Sequence, residues 1–393
     1  MAPKSILLSD PERFRKKTTV SPSLINDAVS RACSKLMDNL EWFKNNFTPP
    51  ETINYKYEPK ENNDWTSGMN TGIMYLAYEL TRNEAFKEAA RFQLKSFGTR
   101  LEQKTGLMNH DVGFVYTPSC VADYKITGNK SSMETALDAA KLLASFFSEE
   151  GGFIKRTAGD KAPSFRTLVD TMMNIPLLFW AGKETGDADY TRKAQTHYKT
   201  TEKYLVREDG STFHHFQFNS ETLEPENGLT LQGYSDSSCW SRGHSWLIYG
   251  YPIAYGYTGD KSIFDVHRKV TYYFLNRLPN DSIPYWDLVF TDGSSEPRDS
   301  SAAAVAVCGL LEMIKYLDDT NEDKEIFKNA ADMMMLSLIE KCSNDDKSKD
   351  GLLSHVTHAL PQGRGIDESA IYGDFFYLEA LLRYKNPNWI KYW

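Results

Sequence analysis

Long apolar runs are missing from this 393-residue chain: no stretch approaches the ~20 consecutive apolar residues that cross a bilayer, so no membrane partner is expected. At the N-terminus only residues 6–8 form an apolar run, too short for the core of a secretory leader. Cysteine is sparse and unpatterned. Cys33, Cys120, Cys239, Cys308 and Cys342 are odd in number, with no CxxC pair and no Cys/His metal spacing, which reads as free thiols in a reducing compartment. The expected location is cytoplasmic, or periplasmic had a leader been removed. Blocks of Lys and Arg are also lacking: 45 basic residues face 53 acidic ones for a net charge of -8, which sets nucleic acid aside as a partner. There is no G-x-S-x-G elbow, no P-loop and no dinucleotide fingerprint, so covalent serine, phosphate and nicotinamide chemistry are set aside too.

What is present suits a folded chain: 41% hydrophobic and 25% charged residues allow a sizeable core. Its length calls for two domains or one large repeat-built domain. A recurring turn favours the repeat. Thr81-Arg82-Asn83, Thr127-Gly128-Asn129, Thr185-Gly186-Asp187, Thr258-Gly259-Asp260 and the degraded Thr320-Asn321-Glu322 each follow one helical stretch and open another. A Gly past a helix end takes the left-handed cap conformation, and the Asn or Asp after it caps the next helix. Segments before the turns, such as 73–77, 175–180 and 302–311, are apolar on every side and should be buried. Segments after them, such as Phe264-Val266-Val270-Tyr273-Phe274, are amphipathic. About six such hairpins, each needing neighbours to cover its apolar faces, predict an all-α (α/α)6 toroid, with an open solenoid as the alternative.

The long connections 104–118, 151–169, 207–246 and 350–373 are rich in Gly, His, Asp, aromatic and amide residues, and that is where chemistry is expected. Asp170, at the entrance of a very apolar helix beside Leu168, Met172 and Met173, is either a helix N-cap or a desolvated carboxyl that keeps its proton near neutrality, as a general acid must. Asp111 begins the corresponding helix of the preceding hairpin, with the same two readings. Two such starts would project into one mouth of the ring as the paired carboxylates of glycosidic chemistry. In Trp240-Ser241-Arg242-Gly243-His244-Ser245-Trp246, an Arg between two Trp offers a carboxylate fork and stacking planes for a sugar acid, or else core aromatics around a capping Arg. His214-His215 and His355-x-x-His358 are possible metal pairs, but no third ligand lies at a characteristic spacing, so no metal or cofactor is expected.

Trp65-Thr66-Ser67-Gly68, His110-Asp111-Val112-Gly113-Phe114, Val169-Asp170-Thr171-Met172-Met173-Asn174 and Gln232-Gly233 through Trp246 resemble, in order, glycoside hydrolase family 88, the unsaturated glucuronyl hydrolases. The resemblance spans roughly residues 65–383. It implies an (α/α)6 fold, Asp170 as main acid/base and Asp111 as its partner carboxylate. It further implies that Trp65, His214, Gln232, Trp240, Arg242 and Trp246 line the site, and we add His358 and Ser369 from the last long connection as substrate-binding candidates. Where these enzymes often carry a Trp after the Gly-Gly-Phe-Ile stretch, this chain has Lys155-Arg156, which favours a sulfated neighbouring sugar.

The expectation is thus an enzyme that removes a 4,5-unsaturated uronic acid from lyase-generated, glycosaminoglycan-type di- or oligosaccharides. The alternatives are an unsaturated rhamnogalacturonyl hydrolase and a non-catalytic toroid that binds acidic sugars. Residues 1–40 would form an N-terminal extension and first helix, residues 41–393 a single catalytic domain, and the protein a monomer or weak homodimer.

Overall fold

Six helices whose sequences are apolar on all sides stand together at the centre of the protein, and six amphipathic helices surround them. The structure, a computed structural model, describes residues 6–157 and 165–393. The inner helices are Ser67–Thr81, a broken run over 112–127, Pro176–Thr185, Ser241–Thr258, Ser300–Met313 and Ile371–Lys385. The outer ones are Glu84–Gln103, Lys130–Ala144, Ala188–Tyr204, Ser262–Arg277 and Glu322–Ser337, with Pro22–Asp38 as the sixth. Each of the first five outer helices packs on the inner helix before it, and Pro22–Asp38 packs on Ile371–Lys385. The last inner helix in turn packs on the first, which closes the ring as the expected (α/α)6 toroid. Burial follows the sequence pattern: every residue of Ser300–Met313 is buried, whereas the outer helices bury one face.

Pro22–Asp38, grouped by the sequence reading with the N-terminal extension, lays Ile25, Ala28, Val29, Ala32, Cys33 and Leu36 into the same continuous core. All five cysteines are buried and unpaired. Among the described residues, no helix is long and apolar enough to cross a membrane.

The repeated turn explains itself in hydrogen bonds. The hydroxyls of Thr81, Thr127, Thr185 and Thr258 donate to the carbonyls of Ala77, Asp123, Ala181 and Ala254 four residues back. Each then accepts the N–H two residues on, at 3.2 Å, so one side chain ends a helix and bends the chain. Asn83, Asn129 and Asp187 cap the next helix. In the degraded fifth turn only the cap survives, with Asn321 accepting from Asp323 N–H.

All these tight turns sit at the C-terminal ends of inner helices, which leaves the N-terminal ends to the long connections. There the chain builds something the helical pattern did not announce: a three-stranded antiparallel sheet of Arg166–Leu168, His215–Phe218 and Pro225–Leu229. Inner helices also meet closely at this end. A Cβ on Gly113 would lie 2.4 Å from Asn174 Cα, and one on Gly68 2.2 Å from the Val115 carbonyl, so only glycine allows the approach.

Candidate active site

The long connections enclose a cavity of about 450 Å3 over the N-terminal ends of the inner helices. Asp111 and Asp170 both line it. Asp111 enters at the start of the second inner run and Asp170 on the short 3-10 turn Val169–Met173 before the third. Asn174 holds the two starts together: its Oδ1 accepts from Phe114 N–H at 2.7 Å and its Nδ2 donates to the Asp170 carbonyl at 3.1 Å. The Gly113 contact makes that bridge possible.

Neither aspartate caps a helix. Asp111 occupies an N-cap position without a side-chain cap bond, and Leu168, not Asp170, stands at the N-cap of the 3-10 turn. The carboxylates are thus left for the cavity. Asp170 Oδ2 is buried without a hydrogen bond in the protein, 3.6 Å from His214 Nε2. Burial pushes the Asp170 carboxyl up to about 6 from the ordinary 3.8; His110 opposes the shift and the charge of Asp111 adds to it. Burial also raises Asp111, with His110 Nε2 3.4 Å away opposing.

His214 is fixed in one tautomer. Its Nδ1 accepts from the N–H groups of Leu231 and Gln232, at 3.1 and 3.3 Å, so the ring proton is on Nε2, facing Asp170. Burial holds this imidazole well below the ordinary 6.5, which keeps it a neutral donor. Trp240 packs against His214 with ring centroids 4.7 Å apart. Trp65 lies on Tyr372 at 5.5 Å, nearly parallel, and Trp246 is wedged between Phe114 and Phe376. Gln232 Nε2 donates to the His358 carbonyl at 3.0 Å, and His358 Nδ1 meets the Tyr372 hydroxyl at 3.1 Å.

Nine of the ten expected site residues therefore line one cavity: Trp65, Asp111, Asp170, His214, Gln232, Trp240, Arg242, Trp246 and His358. Ser369 does not. It is fully buried outside the lining, and its backbone pairs with Thr52. The carboxylate fork expected of Arg242 is largely turned toward the protein itself. Its Nη1 donates to Asp299 Oδ2 at 2.5 Å and to the Thr357 carbonyl, and its Nη2 to the His358 carbonyl, so three of its five N–H groups are engaged inside the protein. Arg242 is 1% exposed, its guanidinium lies between Trp240 and Tyr372, and it braces the cavity wall.

Residues 37–355 match Glycosyl Hydrolase Family 88. The chain belongs to this family. As a family 88 member it is a glycoside hydrolase, and relatives match it over most of its length. It is 43% identical over 389 residues, 98% of both chains, to an unsaturated chondroitin disaccharide hydrolase of Streptococcus pneumoniae. It is 35% identical to the unsaturated glucuronyl hydrolase of a Bacillus species, over 91% of this chain and 95% of that one. The crystal structure of unsaturated glucuronyl hydrolase from Streptococcus agalactiae superposes with a TM-score of 0.96 at 40% identity, both chains fully covered. A variant of that enzyme complexed with dGlcA-GalNAc6S superposes at 0.89 with 39% identity, again over both whole chains.

The family 88 cavity also holds Asn109, His110, Gln362 and Arg364, for which sequence reasoning named no role, and Arg156, which it named only for a sulfated neighbouring sugar. His110 is held through its N–H and Nδ1 to the Arg156 carbonyl, and its Nε2 is buried without a hydrogen bond in the protein. Arg364 is gripped by Glu51 through Nε and Nη2, at 2.8 and 2.7 Å, a hold that leaves Nη1 unused. Each of these five comes from one of the four long connections. Of the two histidine pairs in the sequence, His214 and His358 face the cavity, whereas His215 approaches Arg166 and His355 pairs with Asp367.

Proposed function

We propose that this family 88 hydrolase releases the 4,5-unsaturated uronic acid from lyase-generated, glycosaminoglycan-type di- and oligosaccharides. The observation that carries the reading is the Asp170 carboxyl: pushed up to about 6 beside a second carboxylate and a neutral imidazole donor, it retains a proton at slightly acid pH.

The substrate's C4=C5 bond is an enol ether conjugated with the uronate carboxylate. Protonated Asp170 gives its proton to C4, and positive charge develops at C5 and the ring oxygen. Water then bonds to C5 while the Asp170 carboxylate takes back a proton from it. The C5 hemiketal opens to a ketone, which leaves C1 as a hemiacetal, and that collapses to an aldehyde and releases the neighbouring sugar as an alcohol. Asp111 supplies negative charge toward the developing cation. The Nε2–H of His214 hydrogen-bonds the Asp170 carboxylate once its proton has gone. Trp65 and Trp240 offer apolar walls to the ring, Gln232 an amide, and Arg156 and Arg364 the positive charge that anionic substituents need.

The test is a panel of lyase-generated unsaturated disaccharides, sulfated and unsulfated, chondroitin-, heparin- and pectin-derived, followed by loss of the ultraviolet absorbance of the conjugated double bond. Turnover of the glycosaminoglycan-derived members is expected. Turnover of the pectin-derived disaccharide alone would assign a rhamnogalacturonyl hydrolase, and binding without turnover a non-catalytic toroid.

A further inference from the structure

Tyr234 stands two residues beyond cavity-lining Gln232 and is 61% exposed, yet nothing about its surroundings is loose. Its N–H donates to Asp287 Oδ2 at 2.9 Å. Asp287, itself fully buried, also takes the Ser238 hydroxyl and the N–H groups of Cys239 and Val289. An isolated bridge joins Asp287 to Trp240, so one buried carboxylate ties Tyr234 to the Trp240 wall of the cavity. The residue before it is locked as well: Gly233 N–H donates to Thr230 Oγ1 at 2.8 Å, and a Cβ on Gly233 would lie 2.7 Å from that oxygen.

The Tyr234 ring packs at a steep angle against two other aromatic rings. Phe290 and Trp286 meet it with centroids 5.1 and 6.3 Å away and ring planes at 73° and 72°, so neither stacks parallel on its face. Three residues before Tyr234, Leu231 is 37% exposed and part of the cavity lining, its carbonyl held by Gln362 Nε2 at 2.6 Å. One short segment thus carries an exposed apolar residue of the lining and an exposed aromatic ring, with its backbone tied to the cavity wall through Asp287. Aromatic faces take the C–H side of a sugar ring, and a tyrosine fixed before binding loses little conformational freedom in doing so.

We propose that Tyr234 is a stacking platform for the third sugar of an unsaturated oligosaccharide, extending the site beyond a disaccharide. This rests on the function proposed above, and the experiment separates the two. Steady-state kinetics are measured for the parent, Tyr234→Ala and Tyr234→Phe on unsaturated di- and tetrasaccharides prepared with a chondroitin lyase. Tyr234→Ala is expected to lose about tenfold in kcat/KM on the tetrasaccharide, the loss of one stacking contact worth ~1.4 kcal/mol. On the disaccharide it should stay within about twofold of the parent, which also reports correct folding, and Tyr234→Phe should match the parent on both. An unchanged ratio of tetra- to disaccharide kcat/KM in Tyr234→Ala overturns the platform and leaves the function standing. So does a parent that turns over only the disaccharide. A parent inactive on both overturns the functional reading, and the platform with it.

Discussion

Asp170→Asn should make the protein more stable at neutral pH while abolishing turnover. A carboxyl shifted from 3.8 to about 6 holds its proton more tightly in the folded chain than in the unfolded one. Its favourable contribution is complete below pH 3.8 and is lost as pH rises through about 6, where the folded protein carries a poorly solvated charge. A shift of that size corresponds to ~3 kcal/mol at pH 8, and the same linkage leaves only ~0.5 kcal/mol at pH 4. The side chain is 17% exposed, so solvent screening removes little of this. Asn keeps the size and cannot ionise, and the bond from Asn174 survives because it reaches the backbone carbonyl. With an unfolding entropy of ~2 cal/mol/K per residue, a gain of 1–3 kcal/mol raises Tm by about 1–4 °C. Calorimetry of parent and variant at pH 8 and pH 4 reads the gain and its disappearance, and double-bond absorbance reads turnover, expected to fall by ~10²–10⁴. A variant less stable than the parent by the same margin at both pH values would show that the carboxyl is not desolvated. Retained turnover would remove Asp170 as the acid.

The parent's kcat/KM should fall about tenfold per pH unit above ~6, as Asp170 loses its proton. A profile flat from pH 5 to 8 would contradict the assignment of Asp170 as the acid, and a further fall is expected on the acid side as the raised carboxyl of Asp111 becomes neutral. Gly113→Ala pushes a methyl into the Asn174 backbone, and a loss of ~1–3 kcal/mol in urea denaturation together with reduced turnover is expected. Asp299→Asn strips the buried partner from Arg242 and should cost ~3–5 kcal/mol by the same measurement; a cost near zero would return Arg242 to the role of a free substrate contact.

The helical ring was legible because its signals are local. A Thr that ends a helix, a Gly or left-handed residue beyond it and an Asn or Asp that caps the next helix all act within a few residues, and their repetition counts the hairpins. The membership of the cavity was legible for a different reason: ring closure puts all tight turns at one end, so residues of the long connections must gather at the other. Individual roles were harder to read. Arg242 between two Trp looked like a free fork because its partner Asp299 lies 57 residues away and its carbonyl acceptors more than 100. Ser369 shares a connection with His358, but the connection folds back on itself, Val356 bridging Glu368, and Ser369 turns toward Thr52. The small sheet escaped notice because its strands are three to five residues long and the first pairs with the second across about fifty positions.

How a chain of net charge -8 accepts an acidic sugar also follows from ring geometry. The tight turns fix the C-terminal ends of the inner helices on the far side, so their N-terminal ends converge under the cavity. Each N-terminus carries about half a positive charge from its unpaired N–H groups, felt within the first turn. Asp111, Trp240 with Arg242, and Asp299 all lie at such starts. That field favours anions, yet Asp170 is raised, so at this position desolvation outweighs the attraction of nearby positive charge. The same end of the ring can therefore attract a carboxylate from solution and keep one of its own carboxyls protonated, provided the second sits on a wall dry enough to lose its water. Leu168, Val169 and Met172, at most 4% exposed around Asp170, make that wall.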